Sequence, residues 1–454
     1  MFFEQIYDKT LAQASYMIGC QVSKEAIVID PKRDVDTYLE IAKANNLTIT
    51  HVAETHIHAD FLCGSRELVA LTGAKLYLSD EGGADWQYEF PHIGLKHADV
   101  ISIGNLTLET IHTPGHTPES ISFLLTDHPA TEQPVMLFTG DFVFVGDVGR
   151  PDLLEEAAGV EGSKDIGAQQ LFESLKFFKS LPDYIQVWPG HGAGSACGKS
   201  LGAVASTTIG YEKIRNWAFQ YDDFESFKEE LLRDQPEAPY YFAKMKKLNK
   251  VDRALLTGVP KHPTISLDEI ATDAILVDTR NKVEFANGHL PKSINIQNYN
   301  SLATWAGWML PYEKPIVLIG GEVDKEDITR KLMRIGLDNI KGFITDIGGD
   351  LTKTKIVDAE FVKQELAKDK SILLDVRSAV EFRKGHIEGA NHYFVGHIAK
   401  NLPTFHKDQS LIIQCQSGDR ATIATSFLEK EGFTNVKNYA GSMQDWIAKG
   451  NPLV

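Results

Sequence analysis

The chain of 454 residues is 43% hydrophobic and 24% charged, an ordinary balance for globular protein, and at ~150 residues per domain it has room for about three. Its formal net charge of -16 is spread along the sequence, without the clustered Lys and Arg of a nucleic-acid footprint. No stretch approaches the ~20 apolar residues of a membrane span, and the opening MFFEQIYDKTLAQASYMIGC lacks a basic n-region followed by an apolar core, so no membrane association and a cytoplasmic location are expected.

Over roughly residues 1–215, short β-rich runs (AIVID at 26–30, TITHVAE at 48–54, PVMLFTGD at 134–141, YIQVW at 184–188) alternate with helical patterns such as VDTYLEIAKANN and AQQLFESLKFFKS. That is the pattern of an α/β domain, whose sites assemble at strand ends. Between about 222 and 265 the chain is charged and broken by prolines, which suits a helical extension running into a linker and places the first boundary near residue 262. Beyond it lies an internal repeat. ILVDTRNKVEFANGHLPKSINI from Ile275 matches ILLDVRSAVEFRKGHIEGANHY from Ile372, so that Asp278, Arg280, Glu284, Phe285, Gly288 and His289 recur as Asp375, Arg377, Glu381, Phe382, Gly385 and His386. Two tandem copies of one small α/β domain are expected, over 263–350 and 356–454, each with its own core.

Four strand-terminal motifs carry the candidate metal chemistry. THIHADF at 55–61 presents His56, His58 and Asp60 on a turn; TPGHT at 113–117 supplies His116, FTGD at 138–141 supplies Asp141 and WPGHG at 188–192 supplies His191. Imidazoles and carboxylates at such strand ends can converge on one ion. His51, His92, His97 and His112 are instead read as ordinary turn or surface histidines.

In this order the four motifs resemble the metallo-β-lactamase superfamily, which implies an αββα sandwich. Hydrolases of that superfamily commonly continue the first motif as His-x-His-x-Asp-His and hold two zinc ions; here Phe61 replaces the final histidine, which favours a mononuclear site. Carrying over the persulfide dioxygenase pattern, the ligands are His56, His116 and Asp141, a two-imidazole, one-carboxylate set suited to one non-haem Fe(II) per chain. His58, Asp60 and His191 are then expected around that set. The segment GDVGRPDLL resembles the same dioxygenases and implies that Arg150 meets the carboxylate of a thiol-persulfide substrate. Cys197, in the Gly- and Ser-rich HGAGSACGKSLG, is a candidate substrate-channel thiol, whereas Cys20 and Cys63 are read as buried structural thiols.

The second repeat resembles rhodanese domains with parallel sheets. Cys415 ends the apolar run LIIQ and opens the loop Gln416, Ser417, Gly418, Asp419, Arg420 ahead of a helix, where main-chain N–H groups and the helix N-terminus favour a thiolate or persulfide. Arg420 adds charge for an anion such as sulfite. The first repeat has Ile319, Gly320 and Gly321 at that place and no thiol, so it is expected to be silent. The whole chain is therefore similar to persulfide dioxygenase and rhodanese fusions. That implies oxidation of a low-molecular-weight persulfide by O2 to sulfite and thiol, transfer of sulfane sulfur through Cys415 to give thiosulfate, and a homodimer or homotetramer. A glyoxalase II-like thioester hydrolase and a non-catalytic sulfur carrier are the alternative readings.

Overall fold

The computed structural model describes residues 1–158 and 162–454. The chain divides into two units, Met1–Val259 with Met333–Gly336, and Pro260–Leu332 with Leu337–Val454.

The first unit holds two six-stranded sheets. One runs in sequence order through Phe2–Asp8, Gln13–Gly19, Glu25–Ile29, Thr48–Ala53, Lys75–Ser79 and Ile93–Leu95; the other is built from Val100–Ile103, Leu106–His112, Ile121–Asp127, Met136–Gly140, Gln186–Pro189 and Thr207–Thr208. The β-rich runs read from sequence are among these strands. Period-two alternation sorts their side chains between layers. On adjacent strands Ile18, Ile27 and Ile29 point into the core shared with Ile121, Phe123, Leu125 and Phe138, while Met17, Ala26 and Val28 face a second core with Tyr38 and Leu68 from helices Asp36–Ala44 and Ser65–Thr72. On the outer face of the other sheet, Leu124, Leu137 and Val187 meet Ala168, Leu171, Leu175 and Phe178 of helix Ser163–Ser180. Apolar residues on both faces of both sheets give the αββα sandwich. Truncating a fully buried leucine such as Leu171 would cost about 2–5 kcal/mol.

The helical extension consists of Phe224–Leu232 and Tyr241–Lys250. The first buries Phe227 and Leu231 in the core beside helix Ser163–Ser180, so it is part of the domain and not a tether.

In the second unit the repeat is visible strand by strand. One four-stranded parallel sheet has the order Ile294–Asn295, Ile275–Asp278, Ile316–Ile319, Ile340–Ile344, and the other Asn391–His392, Ile372–Asp375, Leu411–Gln414, Val436–Asn438. The copies agree at atomic detail. Arg280 binds Asp278 and the Gly288 carbonyl as Arg377 binds Asp375 and the Gly385 carbonyl, and His289 and His386 each stack on the phenylalanine four residues before them. A buried Asp–Arg pair at the first strand end thus locks the following turn in both copies. No helix among the described residues is long and apolar enough to cross a membrane.

Candidate metal centre and sulfur-transfer loop

His56, His116 and Asp141 converge at the ends of three different strands, with their donor atoms all within 4.8 Å of one another. Each ligand is fixed from behind. The Thr55 hydroxyl spends its proton on Asp30 Oδ2 at 2.8 Å, so at 3.0 Å it accepts from His56 Nδ1–H, which leaves the Nε2 lone pair facing inward. His116 Nδ1–H donates to the Arg150 carbonyl at 3.0 Å, with the same result. The two inward nitrogens lie 3.9 and 3.6 Å from Asp141 Oδ2. The Pro-Gly turn carrying His116 is pressed onto helix Ser163–Ser180: Gly115 has φ 150°, and a Cβ there would come within 2.5 Å of Leu171 Cβ.

The donor set fits a metal ion. His56 Nε2 and Asp141 Oδ2 are buried and have no hydrogen-bond partner among the described residues, a costly arrangement that a bound cation would satisfy. Burial, reinforced by neighbouring His58, holds His56 well below the usual imidazole range, and burial also lowers His116. Burial alone would raise Asp141, but the charge and hydrogen bond of His191 outweigh it and keep the carboxyl well below its ordinary value. Two neutral imidazoles and one carboxylate are the protonation states a ligand set needs.

The remaining motif residues surround that set. His191 bridges two acids, Nδ1 to Asp141 Oδ1 at 2.7 Å and Nε2 to Asp60 Oδ2 at 2.8 Å. Burial disfavours its charge, yet Asp141 and Asp60 together raise it well above the usual range and so favour its charged form. His58 turns toward Asp30 at 3.1 Å, which overcomes burial and pushes it up to about 9. Phe61 is fully buried with its ring 4.5 Å from that of His58, filling with hydrocarbon the place where a further imidazole would stand.

Two arginines are differently placed from the expectation of free cations. The Arg150 guanidinium is 1% exposed and bonds both Asp152 oxygens and the carbonyls of Ala196 and Pro236. Its carboxylate partner lies two residues along its own chain, and what it contributes to the centre is the carbonyl that orients His116. Arg420 is likewise no free cation, being held bidentately by Glu381 at 2.6 and 2.7 Å. Cys197 does reach the centre, grouped with Asp60 and His191, but it is 2% exposed, and burial together with Asp141 and Asp60 raises its thiol well above the ordinary value. All four cysteines are free and buried.

Several residues that position the site escaped the sequence reading. Asp30, with φ 51°, accepts from Thr55 N as well as its hydroxyl; Glu119 accepts from Ile57 N at 2.8 Å. Asn249, on helix Tyr241–Lys250, donates to the carbonyls of His58 and Phe61 at 2.8 Å each and accepts from Cys63 N at 2.9 Å. For Asp30 the signal available was a carboxylate closing an apolar strand; Asn249 gave none.

In the second unit, Cys415 follows strand Leu411–Gln414 and precedes helix Asp419–Lys430, 1% exposed. Gly418 N–H donates to Cys415 Sγ at 3.1 Å. Gly418 has φ 96°, and a Cβ would meet the Ala440 carbonyl at 2.2 Å, so both the turn and its seat require glycine. Ser442, also left-handed at φ 51°, accepts from Cys415 N at 3.0 Å and places its hydroxyl 3.9 Å from the sulfur. Strand register puts Gly320 where Cys415 stands, since Ile275 pairs with Ile316 as Ile372 pairs with Leu411.

Burial raises the Glu381 carboxyl, but the hydrogen bonds and charge of Arg420 outweigh it and hold it at about 2. The stability this pair contributes is therefore complete above the unfolded-state value of ~4.3 and is lost as pH falls from there toward about 2. Calorimetry of wild type and Glu381→Gln is expected to show a gap in melting temperature at pH 5 that narrows steadily toward pH 2.

The rhodanese-like domain profile matches residues 265–345 and 358–449, and that of the metallo-beta-lactamase superfamily matches 9–191. A solved metallo-beta-lactamase structure from Staphylococcus aureus subsp. aureus COL is 45% identical, with a TM-score of 0.70, covering 76% of this chain and 98% of that one. The chain belongs to the metallo-β-lactamase superfamily. Among the superfamily's curated members, the bovine (Bos taurus) mitochondrial persulfide dioxygenase ETHE1 is 30% identical over 201 residues, 42% of this chain and 68% of that protein. The probable polyketide biosynthesis zinc-dependent hydrolase BaeB of Bacillus velezensis is 26% identical over 208 residues, 45% of this chain and 84% of its own length. A superfamily domain followed by two rhodanese-like domains matches a persulfide dioxygenase–rhodanese fusion. The chain is thus an enzyme of a metal-binding superfamily joined to a sulfurtransferase fold.

Proposed function

We propose that the chain is an iron-dependent persulfide dioxygenase coupled to a sulfurtransferase. The observation that carries this reading is the ligand set itself: His56, His116 and Asp141 point unpartnered donors at one place, while His191 is held between Asp60 and Asp141 and Phe61 occupies the adjoining space. Phe61, fully buried against His58, puts hydrocarbon where the first motif would otherwise offer a further imidazole, which favours one ion over two. Iron(II), when bound there, would supply the redox chemistry that joins O2 to a thiol-bound sulfur.

The chain's own residues do the rest. Asp30 through Thr55, and the Arg150 carbonyl, hold the two imidazoles in one tautomer and orientation. His191 keeps Asp141 ionised, and buried Phe61 and Phe144, packed on His58 and His191, help to exclude bulk water from that side. The net reaction is RSSH + O2 + H2O giving RSH, sulfite and two protons. In the second unit the Cys415 thiolate attacks the outer sulfur of a second persulfide, the S–S bond breaks, and the carrier leaves as RS⁻. Sulfite then takes that sulfur from Cys415 as thiosulfate and returns the thiolate.

Adding glutathione persulfide to anaerobically iron-loaded protein is expected to consume one O2 per persulfide oxidised and to yield sulfite and thiosulfate. No uptake with glutathione, coenzyme A or bacillithiol persulfides would overturn the dioxygenase reading. The alternative, a thioester hydrolase, draws on the zinc-dependent hydrolase relative. It predicts thioester cleavage by zinc-loaded protein without O2 uptake.

A further inference from the structure

The repeat that lacks a cysteine is bound to the loop that has one. Lys282 opens helix Lys282–Asn287 of the first repeat and donates through Nζ to the Ser417 carbonyl at 2.5 Å and to Asp419 Oδ1 at 2.9 Å. Its main-chain N–H is held by Gln297 Oε1 at 2.7 Å, and Gln297 Nε2 reaches the same Asp419 oxygen at 3.4 Å. Further along helix Asp419–Lys430, Asn295 N–H donates to Ser426 Oγ at 3.0 Å, so the first repeat holds this helix at its start and in its middle.

The Ser417 contact matters because of peptide geometry. In a trans peptide the C=O of one residue and the N–H of the next point in opposite directions, and no peptide bond among the described residues is cis. Lys282 pulls the Ser417 C=O to one side, and the Gly418 N–H of the same peptide plane is aimed to the other, at Cys415 Sγ. Gly418, lacking a Cβ and left-handed, could otherwise turn this plane readily. Arg420 cannot substitute, being spent on Glu381.

We propose that Lys282 is a positioning residue for sulfur transfer: from the silent repeat it fixes the Ser417–Gly418 peptide so that the Gly418 N–H faces Cys415 and favours its thiolate and persulfide forms. The silent repeat is then a working part of its neighbour's site. This rests on the sulfurtransferase reading for its purpose, but its test does not need turnover.

The measurement is the pH dependence of iodoacetamide alkylation at Cys415 in the full chain, followed by mass spectrometry of the Cys415 peptide. Lys282→Met is expected to move the midpoint up by about half to one pH unit and to slow alkylation at neutral pH roughly three- to ten-fold. Lys282→Gln, which keeps an N–H donor without the charge, should stay within about two-fold of wild type if orientation is what Lys282 supplies. An unmoved profile in Lys282→Met overturns the proposal, and so does a Lys282→Gln profile displaced as far as that of Lys282→Met. Absence of thiosulfate formation by wild type, with these shifts intact, would count against the sulfurtransferase reading and leave the positioning role standing.

Discussion

Asp141→Asn is expected to cost the first unit its metal, lowering affinity by at least about 100-fold and O2 uptake in proportion. The two oxygens of Asp141 have different duties: Oδ1 accepts from His191 Nδ1 at 2.7 Å, and Oδ2 stands without a hydrogen bond, 3.9 and 3.6 Å from the inward nitrogens of His56 and His116. An amide cannot serve both. If its NH2 replaces Oδ1 it meets a donor, the His191 N–H; if it replaces Oδ2 it offers hydrogens where a lone pair is needed. In either pose the set loses its only anion. The charged form of His191, now answered by Asp60 alone, loses the larger of its two stabilising charges. Metal content after gel filtration, measured by plasma mass spectrometry beside O2 uptake, checks this. Full metal retention in the variant would remove Asp141 from the ligand set.

Cys415→Ser should abolish thiosulfate formation, by at least about a thousand-fold, and leave O2 uptake unchanged, so that sulfite accumulates. The transfer step requires an S–S bond at this position, and a hydroxyl cannot form one. The substitution is close to isosteric, and the Gly418 N–H that now bonds Sγ can bond Oγ instead, so the loop should keep its shape. The two proposed activities would draw on different residues, with the His and Asp set in the first unit and Cys415 in the second. Quantifying sulfite, thiosulfate and O2 in one reaction separates them. Thiosulfate at the wild-type rate would exclude Cys415 as the carrier.

The architecture was legible because periodicity and repetition report it directly. Alternation in AIVID and TITHVAE sorts side chains between two cores, and the match between Asp278–Arg280 and Asp375–Arg377 became the same buried ion pair in both repeats. The His and Asp motifs were legible because metal chemistry restricts which residue types can stand at those strand ends. What escaped was which charges the fold commits to one another, whether two residues apart, as for Arg150 and Asp152, or 39 apart, as for Arg420 and Glu381. Arg150 and Arg420 read as free cations because Asp152 and Glu381 have no spacing rule that marks them as their partners. Lys282, in a stretch without a nucleophile, gave no sequence signal, since only the fold brings it to Ser417 and Asp419.

The three hydrogen bonds of Asn249 bear on how far the first unit can be taken apart. The segment matched by the superfamily profile ends at residue 191, and His56, His116 and Asp141 all lie inside it. Yet Asn249, on a helix that starts at Tyr241, ties down the carbonyls of His58 and Phe61 and the N–H of Cys63. A fragment cut at the profile's edge would contain every proposed ligand but leave main-chain groups of the turn after His56 unanswered. The smallest piece able to behave as an autonomous module must extend at least through Lys250, so modularity here follows hydrogen bonds rather than sequence similarity.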